Sequence, residues 1–173
     1  MDRIVEKIAP AFKVQAVLGD GKEIKKISLE DYKGSWLIML FYALDFTKVC
    51  HTELRGFSER YKEFQNLGAD ILAISCDSLY SHKTWIRGKL GEISFPIAAD
   101  YTKEVTKNFG MLIEEEGLPL RGLFIVNPEG KIKYSVIHNF EIGRNVEEIL
   151  RVLQALKSGG MCPLNWRQGD ENL

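Results

Sequence analysis

Cysteine is scarce in this chain, with three in 173 residues. An odd, low count excludes the disulfide framework of a small secreted domain, so a cysteine with a task acts as a thiol or in a transient disulfide. No C-x-x-C pair is present, which argues against ordinary dithiol exchange. The histidines are also few. His51, His82 and His138 show no paired spacing with the cysteines such as a zinc site has, and each is expected to be structural or exposed. There is no G-x-G-x-x-G and no P-loop pattern, so neither a dinucleotide nor a nucleotide is implied. No apolar run approaches the ~20 residues needed to span a bilayer. The start, "MDRIVEKIAPAF", lacks the apolar stretch and cleavage site of a signal peptide, so a cytoplasmic protein with no membrane partner is expected. Neither sign of charge dominates. Lys+Arg number 23 and Asp+Glu 24, a net charge of −1, which gives no electrostatic reason to expect nucleic acid.

What is present is an ordinary globular composition, 45% hydrophobic and 27% charged, in a length that suits one domain with a sizeable core. "FKVQAVLGDGKEIKKISL" reads as two strands turning at Gly19-Asp20-Gly21. "SWLIMLFYA" is a continuous apolar run of strand length, consistent with burial on both faces. The period then changes. Leu54, Phe57, Tyr61, Phe64 and Leu67 recur at helical steps, and Gly68 is a natural stop. "ADILAISC" predicts another buried strand, and "SHKTWIRGKLG" a weaker helix. Asp100 is placed to cap a short helix that Gly110 ends. "RGLFIVNPEGKIKYSVIH" is the clearest hairpin, and Asn145 with Glu148 signals the start of a last helix that Gly159-Gly160 closes. The order β-β-β-α-β-α-α-β-β-α predicts an α/β fold, a thioredoxin-like mixed sheet flanked by helices with an N-terminal β-hairpin. Residues 1–158 are expected to form the domain, and 159–173 a polar C-terminal tail.

The cysteines differ in setting. Cys76 ends a predicted strand among apolar neighbours and reads as a buried small hydrophobe. Cys162 lies in the tail, where an incidental surface thiol and one able to reach a partner sulfur are both open readings. Cys50 stands between a strand and the first helical-period residue, Leu54. A thiol in the first turn of a helix feels unpaired N–H groups and the positive end of the macrodipole, and both favour the nucleophilic thiolate. Thr47, three residues earlier, is in position to hydrogen-bond the sulfur or a substrate oxygen. Arg121 opens a buried strand, an odd place for a charge unless something pairs it.

With those residues in view, the chain resembles the typical two-cysteine peroxiredoxins, the group that includes alkyl hydroperoxide reductase C subunits. "FYALDFTKVCHTEL" is similar to the stretch around the family's peroxidatic cysteine, P-x-x-x-T-x-x-C. "ISCDSLYSHKTW", "FPIAAD", "RGLFIVNPEGKI", "IGRNVEEILRVLQAL" and "MCPLNW" follow in the family's order. The resemblance implies that Cys50 is peroxidatic, Cys162 resolving, Thr47 the motif threonine, Arg121 the active-site arginine and Glu53 the acid that orients it. It implies a thiol peroxidase acting on hydrogen peroxide and organic hydroperoxides without a metal or organic cofactor. A Cys50 sulfenic acid would condense with Cys162 of a second subunit, giving a homodimer with an intersubunit disulfide. Thioredoxin or a flavoprotein disulfide reductase would restore the thiols. Assembly of dimers into a decamer is a further expectation of the family.

Two departures stand out. The first motif position holds Ala43 where the family has proline, and His51 follows Cys50 where proline is common. Alanine restores an N–H and a softer φ, which leaves the order of the loop and the rate with peroxide open. A slow redox sensor or chaperone ring, with weakened peroxidase activity, is the alternative reading. A protein thiol-disulfide oxidoreductase is a further one, against which the missing C-x-x-C argues. The C-terminal Tyr-Phe helix and the Gly-Gly-Leu-Gly insertion of overoxidation-sensitive relatives are not seen. Resistance to overoxidation is therefore predicted, and mass spectrometry that finds sulfinic acid accumulating at low micromolar peroxide would count against it.

Overall fold

The apolar run after Ser35 becomes strand β3 (Trp36–Phe41), with every residue from Leu37 on buried. In this computed structural model, which describes residues 3–173, β3 lies inside a seven-stranded sheet. A strand so placed has no solvent face, which is why its sequence does not alternate. β3 runs parallel to β4 (Ala69–Ser75) on one side and antiparallel to β8 (Arg121–Val126) on the other. β9 (Ile132–His138) completes the hairpin beyond β8 and forms one edge. On the far side, β5 (Ile97–Ala99) joins β4, followed by the N-terminal hairpin of β1 (Lys13–Val17) and β2 (Ile24–Ser28). The order is β2-β1-β5-β4-β3-β8-β9, a mixed sheet as expected.

Side chains of successive strand residues face opposite ways, and β3 divides the core accordingly. Ile38 and Leu40 pack with Leu54 and Phe57 of α1 (Lys48–Glu59), Phe64 of α2 (Tyr61–Asn66) and Leu153 of α5 (Val146–Ser158). Trp85, the last residue of α3 (Leu79–Trp85), joins the same layer. Leu37, Met39 and Phe41 face a second layer with Phe109 and Phe124, beside α4 (Glu104–Asn108). Phe41 meets Phe124 edge-on with ring centroids 5.8 Å apart.

The caps read from the sequence form. Asn145 Oδ1 accepts the Glu148 N–H at 3.1 Å, and Gly159 ends α5 in the left-handed region. The buried Asp100 carboxylate accepts N–H groups of Val105 and Thr106 at 3.2 and 2.7 Å.

Three readings change. The single helix expected over Leu54 to Leu67 is two, because Arg60 leaves helical geometry (φ −99°, ψ 5°) while its side chain pairs with Glu63 and Glu147. Residues of β6 (Leu112–Ile113) and β7 (Leu118–Pro119) form a small separate hairpin, too short to show alternation. Cys76 lies one residue past β4 and is half-buried, with its sulfur 3.6 Å from Thr106 Oγ1 instead of among apolar side chains alone. Burial pushes its thiol pKa up, which suits an inert cysteine.

Residues 159–173 hold no helix or strand but fold back on α5. Trp166 is buried, and its carbonyl accepts from Arg151 Nη1 at 2.8 Å. Among the described residues no helix is long and apolar enough to cross a membrane. The layer beneath α2 yields a test. Phe64 is fully buried and stacks on Phe57 at 6.0 Å, so Phe64→Ala is expected to cost about 3–5 kcal/mol in urea unfolding, with little change in the dependence on urea concentration.

Candidate active site

Chain leaving β3 must reverse onto the helical layer within the six residues 42–47. Asp45 organises this loop. Its carboxylate accepts from Tyr42 Oη at 2.6 Å and Ser81 Oγ at 2.7 Å, and meets His82 Nδ1 at 2.8 Å. Its own N–H donates to Asp77 Oδ2 at 3.0 Å, and that carboxylate is also held by Ser75 Oγ at 2.7 Å. Burial, then the nearby Asp45 charge, pushes the Asp77 pKa up. The fully buried Tyr42 is raised well above the phenol range by burial and by Asp45, so it stays a donor. Phe46 takes a left-handed backbone (φ 62°), costly for an aromatic residue, and its ring packs on Trp85 with centroids 5.8 Å apart.

Thr47 is the N-cap of α1, with extended backbone. Its hydroxyl donates to the Leu44 carbonyl at 2.8 Å, closing the loop and not reaching for the sulfur. Cys50 is the third residue of α1, in the first turn, and is fully buried. Arg121 Nη1 approaches its sulfur at 3.3 Å and also donates to Glu53 Oε2 at 2.9 Å. The rest of the Arg121 fork is fixed by the Phe140 carbonyl, at 2.9 Å from Nε and 2.7 Å from Nη2. The structure thus brings Cys50, Glu53 and Arg121 together, with Thr47 shaping the loop beside them.

Arg144 completes the cluster and was absent from the residues expected. Its backbone N–H and Nε both donate to Glu53 Oε1 at 2.8 Å, and its Nη2 to Oε2 at 2.7 Å. Its Nη1 is held by the carbonyls of Phe41 and Gly122 at 2.7 and 2.6 Å. A signal for it exists in the sequence. An arginine just before the Asn145 cap sits at the positive end of the α5 dipole, which is unfavourable unless an acid compensates it. Burial alone would raise the Glu53 pKa, but the hydrogen bonds and charge of Arg144, with Arg121, outweigh it and hold the carboxyl below its ordinary range. Two guanidiniums and one carboxylate leave one positive charge in a buried site, and the Cys50 sulfur lies against it. The arrangement puts a charged hydrogen-bond donor on the sulfur.

An open cleft of about 500 Å³ reaches this cluster, lined by Ala43, Thr47, Leu118, Arg121 and Phe140 among others. Cys162 stands elsewhere. Its half-buried sulfur lies 3.3 Å from Ser158 Oγ and 3.6 Å from the Ala155 carbonyl, and all three cysteines are free thiols. Of the histidines, His82 is buried in the Asp45 network, and Nδ1 of His138 lies 3.1 Å from the Ile142 carbonyl. Asp45 and His82, 37 residues apart, carry no sequence signal of their meeting. Among the described residues no three His, Cys, Asp or Glu side chains group so as to hold a metal ion.

Comparison with known proteins places this geometry. The model of the AhpC/TSA family matches residues 5–135. A putative peroxiredoxin in the rubredoxin operon of Clostridium pasteurianum is 56% identical, with all of both chains covered. The putative peroxiredoxin YkuU of Bacillus subtilis is 46% identical over 99% of each chain. Among solved structures, the reduced 2-Cys peroxiredoxin of Plasmodium vivax superposes with a TM-score of 0.95 at 30% identity, covering 99% of this chain and 93% of that one. AhpC of Enterococcus faecalis gives 0.88 at 37% identity, covering 94% and 100%.

The charge cluster sets an acid limit. The folded-state pKa of Glu53 lies below its ordinary 4.5, so its pairing stabilises the fold at any pH above that value and is lost as the pH falls through the folded-state value. Thermal melting across that range should show the wild-type Tm falling more steeply with acid than that of Glu53→Gln. Arg144→Leu, which removes the Nε and Nη2 bonds to Glu53 and strands two buried carbonyls, should cost about 3–5 kcal/mol at neutral pH. A loss under about 1 kcal/mol, the range of a surface pair, would show that the cluster does not bear on stability.

Proposed function

The chain belongs to the AhpC/TSA family and is a peroxiredoxin, a thiol peroxidase, and from that premise we propose that Cys50 is its peroxidatic cysteine and Cys162 its resolving one. The observation that carries the reading is the single guanidinium of Arg121, which touches both the Cys50 sulfur and the Glu53 carboxylate. A peroxide, R–O–OH, enters by the cleft beside Thr47. The thiolate attacks its terminal oxygen, an S–O bond forms, and the O–O bond breaks. The departing RO⁻ takes a proton to leave as alcohol or water, and Cys50 is left as sulfenic acid. Arg121 already donates at the sulfur, so its positive charge meets the charge that develops on the oxygens without reorganisation. Thr47 orients the peroxide, and Glu53 with Arg144 holds Arg121 in place.

Cys162 of a second subunit then attacks the sulfenic sulfur as thiolate. The S–S bond forms, hydroxide leaves and is protonated to water, and an external dithiol, thioredoxin or a flavoprotein disulfide reductase, returns both thiols. Residues 1–158 act as the catalytic domain and 159–173 as the arm that delivers Cys162. Strand β9 is an edge of the sheet, covered at Ile132 by Glu6 and Lys7, and pairing of its remaining length with a second copy would give a homodimer that can assemble further into a decamer. Hydrogen peroxide and organic hydroperoxides are the proposed substrates, and the cytoplasm the proposed site of action.

Stopped-flow fluorescence of the fully reduced protein with hydrogen peroxide tests this. A fast second-order reaction is expected, lost in Cys50→Ser. Cys162→Ser should keep that reaction but form no disulfide-linked dimer on a non-reducing gel. A rate no better than that of a free cysteine would overturn the peroxidase assignment of Cys50 and favour a slow sensor.

A further inference from the structure

Among the described residues, two buried side-chain polar atoms have no hydrogen-bond partner, and they belong to neighbouring rings. One is Nδ1 of His51 and the other Nε1 of Trp85, on rings with centroids 6.4 Å apart at 52°. Buried polar atoms without partners are uncommon and call for an explanation. These two are complementary. An indole N–H only donates, and a neutral imidazole carrying its proton on Nε2 presents a bare acceptor at Nδ1. A modest ring rotation or one bridging water joins them.

The location gives the pair a consequence. The His51 N–H donates to the Thr47 carbonyl at 3.0 Å, the backbone bond that closes the first turn of α1 around Cys50. Trp85 is fully buried and fixed from the other side, with Tyr42 at 6.0 Å and Phe46 at 5.8 Å between ring centroids. The ring of His51 therefore bridges a rigid anchor and the turn that encloses the nucleophile. A proline at 51 could make neither the backbone bond nor the ring contact.

We propose that His51 is a positioning residue for Cys50: as a neutral imidazole it accepts the Trp85 indole N–H at Nδ1, and this pin holds the first turn of α1 closed over the buried sulfur. A second proton on the ring puts N–H against N–H, the pin is lost, and the turn opens more readily. Because Cys50 is fully buried, its sulfur meets a partner's Cys162 only when that turn opens. His51 thereby makes the resolving step proton-dependent, an inference that rests on the resolving role proposed above for Cys162. Other titratable groups nearby are engaged. Asp45 is bound to His82, Tyr42 and Ser81. The remaining ring nitrogen of His82 faces the Ala98 carbonyl at 3.2 Å. Arg55, one turn beyond His51, donates to the Glu92 carbonyl at 2.8 Å and pairs with Glu59. Lys48 is exposed at the start of α1.

The test uses the full chain with Trp85 as sole tryptophan (Trp36→Phe and Trp166→Phe), titrated from about pH 8 to about pH 5, the range in which an imidazole ordinarily titrates. Emission of the reduced protein should fall about twofold or more as His51 charges, and stay flat in His51→Asn and His51→Leu. Asparagine keeps an acceptor near the Nδ1 position without a titrating ring, and leucine removes it. In otherwise wild-type chains, the rate of disulfide formation after a peroxide pulse, divided by that of His51→Asn at the same pH so that the thiolate fraction of Cys162 cancels, should rise with acidification. At alkaline pH the wild type and His51→Asn should resolve at equal rates. His51→Leu should raise the relative rate ~5-fold at every pH, the weight of one net hydrogen bond. Trp85→Phe, which keeps His51 but lacks the donor, should make the rate relative to His51→Asn flat with pH and serves where the leucine variant does not fold. Emission that titrates equally in His51→Leu, or equal resolution rates in the asparagine and leucine variants, overturns the pin. If no version forms the Cys50–Cys162 disulfide, the resolving role fails instead, and the emission titration still decides whether His51 and Trp85 are coupled.

Discussion

A carboxylate gripped by two arginines inside the protein is the interaction on which the rest of this structure depends. Glu53 takes four hydrogen bonds, three from Arg144 and one from Arg121. Burying three ions is expensive, and a pair of them seldom gains stability over a well-packed apolar substitute. The cluster is better understood by its residual charge. One guanidinium more than the carboxylates can neutralise leaves a positive site, and the Cys50 sulfur occupies it. What the buried charges secure is a charged donor held on that sulfur.

The fold makes this cluster possible because its members arrive from three separate elements. Glu53 comes from α1, Arg121 from the first position of β8, and Arg144 from the residue before the α5 cap. A sheet that sets β8 beside β3 brings the Phe41 and Gly122 carbonyls onto one guanidinium nitrogen, Nη1 of Arg144. Gly122 adds a steric condition. A Cβ there would run into the Met111 side chain, so any larger residue at the strand position next to Arg121 requires the buried Met111 to shift. The backbone of the sheet thus acts as the second coordination layer of a charge cluster, and the sheet order is as much a condition of the chemistry as the side chains are.

How much of this was legible in the sequence follows from the range of each interaction. The strands and helices that carry the site were readable because periodicity and capping are local: β3 from its unbroken apolar run, α5 from Asn145 and Gly159. The break at Arg60 was not, because the apolar spacing continues through it while the backbone departs. Cys50 was readable from its place at a helix start, and Arg121 from being a charge at the mouth of a buried strand. Arg144 was overlooked although its place against the α5 dipole was a local signal, since reading it required asking what a cation gains at that end of a helix. The Asp45 network was beyond reach. Its partners Ser75, Asp77, Ser81 and His82 lie some thirty residues or more further on, and each alone reads as an ordinary polar residue.

That network bears on the departure most visible in the sequence, the alanine at position 43. A proline fixes a loop by restricting one φ angle, whereas this loop is fixed from its other end. Asp45 accepts from Tyr42 across the turn and is tied to α3 and to the end of β4 by its carboxylate and its N–H. Thr47 adds a bond back to Leu44. Tertiary hydrogen bonds buried from solvent restrict the backbone as firmly as a ring does, and the left-handed Phe46 shows that they hold it against its own preference. Ala43 itself is packed in the core beside the cleft. A looser loop would follow from Ala43 only if the missing ring left nothing in its place. Here order in the loop comes from contacts between distant segments, so the substitution at 43 removes a local constraint that the fold already supplies.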